Sequence, residues 1–288
     1  MMNMNNISKI AGILLLAVTA LTSCSDEQEQ EFVQSNEIRF VVSVDGVTRA
    51  SMTSADLDLF FLKVIGDNNA FSYFGPVIKT PTGDWMAAKP LLWKNNTSTI
   101  SYVAAFYGAL TSDYFNINFT DEQFTNGDIL PVLADQSSQK NLNAADLLIA
   151  KKTDVAYSET MNGVVPITMK HGLAKVNLQV TLDEPLGISA EDFKEVLISG
   201  IHTFFFFHPF EGNVVTDISP LTKGTVLPYL SSFEEGVATF EAILAPETLD
   251  AGALQFYYTL NGKDYHWTNS EAITLLQGGE YTIPLECK

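Results

Sequence analysis

His202 and His208 flank the run Thr203-Phe204-Phe205-Phe206-Phe207, and two imidazoles six residues apart on an extended strand share a face, where they could ligate one metal ion. The same pair, with Pro209, serves equally as polar gatekeepers around an aggregation-prone tetraphenylalanine strand, and the sequence favours that reading. The other two histidines, His171 and His266, are scattered. No G-x-S-x-G, G-x-G-x-x-G, P-loop, C-x-x-C or H-E-x-x-H occurs, so no catalytic residue, metal site or cofactor is expected. Carboxylates are too numerous for any pair to be singled out for glycoside hydrolysis. Trp85, Trp93, Trp267 and the 10 tyrosines could stack on sugars, although in sheets such residues more often form core and cross-strand pairs. A non-enzymatic protein is expected.

Two other residues owe their chemistry to their neighbours. Cys24 closes Leu21-Thr22-Ser23-Cys24 behind a basic residue, Lys9, and the apolar run Ile10 to Leu21. That run has signal-peptide length and is too short to span a bilayer comfortably. The ending resembles a bacterial lipobox, which implies a lipoprotein signal peptide over residues 1–23 and acylation of Cys24; an uncleaved hydrophobic anchor is the alternative. Several acyl chains on one residue anchor stably where a single chain does not. Asp26, Glu27, Glu29 and Glu31 follow at once, a solvated tether that also resembles the surface-export signal of Bacteroidetes lipoproteins, so an outer-membrane, surface-exposed precursor is expected. With Cys24 acylated, Cys287 has no partner and reads as a small apolar residue at a strand end. The second residue is Arg49. It follows the alternating segment Ile38, Phe40, Val42 and Val44 and the turn Asp45-Gly46, and only Arg39 and Arg49 represent arginine in the whole chain.

Composition limits the partners. The 288 residues carry 34 acidic against 16 basic side chains, a net charge of −18, so phosphate binding meets repulsion and nucleic acid is excluded as a partner. Hydrophobic content of 46% and charged content of 17% describe a chain that buries a core, long enough for one large domain or two ordinary ones.

The elements that must position these residues are strands. Leu57 to Ile65, Thr99 to Tyr107, Lys175 to Leu182, Val196 to Phe207, Val237 to Leu244, Leu254 to Leu260 and Glu280 to Cys287 are short and apolar or alternating. Turn chemistry separates them, most clearly Asn261-Gly262 between two aromatic-rich segments, a hairpin signal. Ser189 to Asp192 could cap a helical turn, and Asn143 to Ala150 is ambiguous. The chain is therefore expected to be all-β, built of sandwiches. The polar stretch Tyr157 to Pro166 suggests a division into an N-terminal β-sandwich, residues 51–165, and a C-terminal one, 166–288, behind an acidic tether and first strand at 24–50.

Three stretches together resemble the fimbrillins, subunits of the Bacteroidia-type (type V) fimbriae: IRFVVSVDGVTRAS shortly after a lipobox; Asp146-Leu147-Leu148-Ile149-Ala150 followed by Ile167 to Leu178, with His171-Gly172-Leu173-Ala174-Lys175 at its centre; and the close Leu275 to Ile283, with Gly278-Gly279 before Tyr281. The resemblance implies two transthyretin-like β-sandwich domains in tandem, exported as a lipoprotein precursor. It implies cleavage by an arginine-specific surface protease, here at Arg49-Ala50, loss of the first strand, and its replacement by a strand from another fimbrial subunit. Ile38, Phe40, Val42 and Val44 would then be the core residues of the exchanged strand, each stabilising by about 1.5–3 kcal/mol if fully buried. With no arginine after Arg49, such a protease finds no target in either expected domain, and Arg39, paired within the strand, is shielded until the segment leaves. In this family the donated strand resembles a C-terminal extension, while here Glu280 to Cys287 stands at the end of the sequence and carries Pro284, which suits an edge strand. Either that strand swings out to donate, or the chain accepts without donating, as a tip or accessory subunit. Adhesion to a host or bacterial ligand is the expected role; a permanently anchored surface lipoprotein that binds glycans is the competing one.

Overall fold

Period-two alternation shapes the first element. In Arg39–Val44 (β1) Phe40 is buried while Arg39, Val41 and Ser43 are exposed, as happens when one face of a strand meets a core. The computed structural model describes residues 36–45, 52–111, 119–182, 187–216 and 222–286, which belong to one compact unit. Leu59–Gly66 (β2), Ser72–Lys79 (β3), Trp85–Ala87 (β4), Thr99–Tyr107 (β5), Asp128–Pro131 (β6), Leu147–Ala156 (β7) and Val164–His171 (β8) follow. All of these except β6 join β1 in a closed barrel of order β1-β4-β3-β2-β5-β7-β8. Its pairings are antiparallel, save that β1 runs parallel to β8 from Arg39 opposite Val164 to Val44 opposite Met169.

Both faces of β2 and β5 are buried, which is why these strands read as near-continuous apolar runs. One face, with Phe60, Leu62, Val64 and Tyr102, fills the barrel. The other, with Phe61, Val103 and Tyr107, joins a larger core with Phe119, Phe124, Phe205 and Phe207. Lys63 lies on that outer face, where its ammonium donates to Asp121 at 2.7 Å and Thr125 at 2.6 Å. The short helix Asp121–Asn126 that brings these partners is started by a capping box in which Thr120 and Gln123 bond each other's backbone amides.

The rest of the chain forms Ala174–Thr181 (β9), Phe193–His202 (β10), Phe204–His208 (β11), Asn213–Val215 (β12), Lys223–Val226 (β13), Tyr229–Glu234 (β14), Val237–Leu244 (β15), Thr248–Leu249 (β16), Gln255–Leu260 (β17), Lys263–Thr268 (β18), Ile273–Thr274 (β19) and Glu280–Glu286 (β20). Two four-stranded sheets, β13-β10-β17-β18 and β14-β15-β9-β20, pack face to face through Phe193, Phe240 and Phe256, with ring centroids 5.4 Å apart in each successive pair. A third sheet, β12-β11-β6, takes β6 from between barrel strands.

The structure departs from the expected strand Val196 to Phe207, which is two strands. Gly200 (φ +81°) lies at a register shift in β10, and a Cβ there would meet the Ala253 carbonyl oxygen at 1.8 Å. Past Thr203 the chain leaves β13 and β17 to pair with β6 and β12. The expected boundary at 165/166 falls inside β8, and pairing partners change between His171 and Ala174.

Candidate functional site

β1 is held unequally on its two sides. Toward β8 it pairs over six residues, so that Phe40, Val42 and Val44 stand beside the buried Val165, Ile167 and Met169. The Asp45 N–H donates to the Met169 carbonyl at 2.7 Å, and the Ser43 hydroxyl meets that of Thr168 at 3.2 Å. Toward the opposite side, pairing with described strands is confined to the first half. The Ile38 N–H donates to the Leu91 carbonyl and the Trp93 N–H to the Asn36 carbonyl, both at 2.7 Å, and Phe40 pairs with Trp85 of β4. Burial follows this pairing: Ile38 and Phe40 are 4% and 5% exposed, whereas Val42 and Val44 face the same way but are half-buried.

Two tryptophans form the floor beneath the well-held half. Trp85 packs on Phe60 at 5.2 Å between centroids. Trp93 is 1% exposed and donates its indole N–H to the Gly163 carbonyl at 3.2 Å. Gly163 sits at φ +79°, and a Cβ there would lie 3.1 Å from the Glu37 carbonyl oxygen, so the chain entering β8 needs glycine to approach the segment leading into β1. Across the barrel, the Tyr102 hydroxyl donates to the Pro166 carbonyl at 2.9 Å, and burial pushes its phenol up to about 12.

The other two stretches singled out in the sequence meet at the crossover between β8 and β9. Asp146, just before β7, and His171, the last residue of β8, approach at 2.6 Å (Oδ2 to Nδ1) with side chains 0% and 4% exposed. Burial raises the phenol of Tyr107 well above its ordinary range, with the negative charge of Asp146 acting in the same sense. The Gly278 N–H donates to the Leu173 carbonyl at 3.2 Å and the Lys175 N–H to the Gly279 carbonyl at 2.9 Å. The glycine turn before β20 thus rests on the crossover between β8 and β9.

Several sequence-predicted residues fall outside the described ones: Cys24 with its signal peptide and tether, the pair Arg49-Ala50, and Cys287. Asp45 and Met52 are the nearest described residues on either side of Arg49-Ala50. Arg39 is exposed, its guanidinium donates to the Asn162 carbonyl at 3.3 Å, and its backbone pairs with β8 opposite Val164. His202 and His208 lie on different strands. His202 places Nδ1 2.7 Å from the buried Glu247 carboxylate, whose other oxygen accepts the His202 backbone N–H at 2.8 Å. His208 lies against the ring of Phe206. Among the described residues no group of three or more His, Cys, Asp or Glu is placed to hold a metal ion, and no helix is long and apolar enough to cross a membrane. Trp85 and Trp93, weighed from sequence as sugar platforms, are buried groove residues, and Trp267 is half-buried beside the main core. Their role beside β1 was not read from the sequence, nor was that of Val165, Ile167 and Met169, although the alternation in Val164–His171 carried the signal.

A sequence model of the family described as Fimbrillin-like matches residues 42–288. Among solved structures, a candidate cell adhesion protein from Bacteroides ovatus ATCC 8483 superposes with a TM-score of 0.63 at 16% identity, over 88% of this chain and 92% of that one. Another, from Bacteroides uniformis ATCC 8492, gives 0.57 at 17% identity, over 87% and 94%. At these identities the likeness is one of fold. No curated protein sequence matches.

Proposed function

The chain belongs to the fimbrillin-like family, a fimbrial and adhesive family rather than an enzymatic one, and from that premise we propose that it is a fimbrial subunit matured by loss of its first strand. The single observation that carries this reading is the unequal hold on β1, which closes the barrel yet pairs with described strands on its β4 side only up to Phe40. Severing Arg49-Ala50 turns β1 into a separate segment. Its departure leaves a strand-shaped groove between β8 and Trp85, with pockets vacated by Ile38, Phe40, Val42 and Val44. A strand of similar apolar spacing from another fimbrial subunit fills it, backbone pairing supplying affinity and alternate side chains specificity. Left empty, the groove would expose sheet edges and invite aggregation, so the precursor stores its own strand.

In this reading Cys24 carries the lipid that holds the precursor at the outer membrane. An arginine-specific surface protease cuts after Arg49, and the released chain serves adhesion within the fibre. Family membership supports a surface or fimbrial location. In this reading the barrel and the paired four-stranded sheets are the two transthyretin-like halves, and the change of pairing partners between His171 and Ala174 supports a junction there.

The test is maturation on the cell. Surface-released protein should begin at Ala50 by mass spectrometry, and Arg49→Ala should leave a folded, untrimmed precursor absent from fibres. Fibres that incorporate Arg49→Ala normally would refute the proposal.

A further inference from the structure

We infer that the second pair of sheets carries a saccharide site: the open side between β18 and β20 takes a neutral oligosaccharide, with a sugar ring on Trp267 and hydroxyls bonded to Glu271 and Ser270. The strands involved are not those that the exchange reading moves. The inference therefore names a ligand class for adhesion without depending on the loss of β1.

Trp267 stands at a core position that nothing closes over. Its cross-strand partner on β17 is Phe256, which is fully buried, so the indole faces the interior of the paired sheets. Yet β18 is the last strand of its sheet, as β20 is of the facing one, and Trp267 and Ile283 are only half-buried. Between them lies a cavity of about 570 Å³, lined also by Ser270, Glu271 and Pro284, a size ordinary for small-ligand sites. Its rim is set in advance. Asn269 is 3% exposed, and its side chain accepts from the Leu254 N–H at 2.9 Å and donates to the carbonyls of Asp250 at 2.8 Å and Glu271 at 2.6 Å. The backbone that carries Ser270 and Glu271 is thus tied to the turn between β16 and β17, and a ligand has little ordering left to bring about.

The lining selects the occupant. An indole offers a flat apolar surface to the C–H face of a sugar ring, while a carboxylate beside a hydroxyl accepts hydroxyl donors in pairs. Among the described residues that line the cavity, Glu271 is the only charged one, in a chain of net charge −18, so sialylated, sulfated and uronic sugars are repelled. An extended peptide is the poorer fit. Pro284, beside the cavity on β20, has no N–H, and proline on an edge strand blunts that edge against strand addition.

Indole N–H resonances of the full-length chain, isotope-labelled at its three tryptophans, test the site; Trp85 and Trp93 are buried elsewhere and serve as internal controls for folding. The neutral probes are lactose, maltotriose, mannotriose and chitotriose, the anionic probe is sialyllactose, and a peptide of alternating valine and threonine represents a strand. At least one neutral probe should shift the Trp267 resonance saturably and leave the other two in place, and neither sialyllactose nor the peptide should do so. Glu271→Ala, at an exposed position, should weaken that binding at least about tenfold, as loss of a hydrogen bond to a charged group does. The inference is overturned if no neutral probe moves Trp267, if sialyllactose or the peptide moves it equally, or if Glu271→Ala binds undiminished. Any of these results leaves the exchange reading standing, because fibre entry of Arg49→Ala decides that separately.

Discussion

Asp146 and His171, 25 residues apart, meet as a buried carboxylate–imidazole pair at 2.6 Å, and through them the start of β7 is fastened to the end of β8. Both lie where the barrel hands the chain to the second pair of sheets, so the pair braces a junction.

Breaking this pair from one side should be expensive, because the remaining group keeps its desolvation cost without its partner. Asp146→Ala should lower stability by about 3–5 kcal/mol in urea unfolding. Asp146→Asn, which keeps a hydrogen-bonding oxygen, should lose less. Equal losses for the two variants would mean that the side chain's volume, not its bond to His171, matters.

The hold on β1 should be graded along its length. Phe40→Ala removes a side chain 5% exposed and should cost about 3–5 kcal/mol, whereas Val44→Ala, half-buried, should cost well under half as much. Urea unfolding of the intact precursor measures both. A Val44→Ala loss matching that of Phe40→Ala would contradict a strand held mainly by its first half.

Arg39 and Arg49 should respond differently to an arginine-specific protease. Arg39 is exposed, yet its backbone is paired with β8, and a protease needs an extended segment free to enter its cleft. Peptide mapping of the folded precursor should therefore show cleavage after Arg49 first and after Arg39 only once the segment has left. Early cleavage after Arg39 would mean that β1 opens while still covalently attached.

Alkaline pH should weaken the barrel through Tyr102. Its phenol is pushed by burial from the ordinary 10.0 up to about 12, so the folded chain holds that proton more tightly than the unfolded one. The resulting stability is complete below pH 10 and is lost as pH rises from 10 toward 12. Thermal unfolding followed across that window should fall more steeply for wild type than for Tyr102→Phe. Parallel curves would remove Tyr102 as a source of the dependence.

Local patterns were legible where partners were close in sequence. Thr99–Tyr107 and Val237–Leu244 have the bounds that alternation and turn residues indicate, and Asn261-Gly262, both at positive φ, turns β17 into β18. The expected strands do not include β3, where a breaker is tolerated. Gly75-Pro76 lies inside β3, at a stretch where β4 does not pair and the missing proline N–H is not needed. The pattern was silent where pairing is distant: nothing in Asp128–Pro131 announces that it will lie beside Phe204–Phe207, because a period of two names a face and not a partner. At the candidate site the strand and its inward residues were legible from alternation alone. The tryptophan floor was not, because aromatic residues buried under a strand and exposed on a platform have the same sequence signature.

The parallel pairing of β1 with β8 sets an orientation. A segment that reproduces the bonding of β1 must run N to C alongside β8, so its direction is fixed before any pocket reads a side chain. A segment running the other way would have to form a different ladder along β8 and present its side chains in a different register.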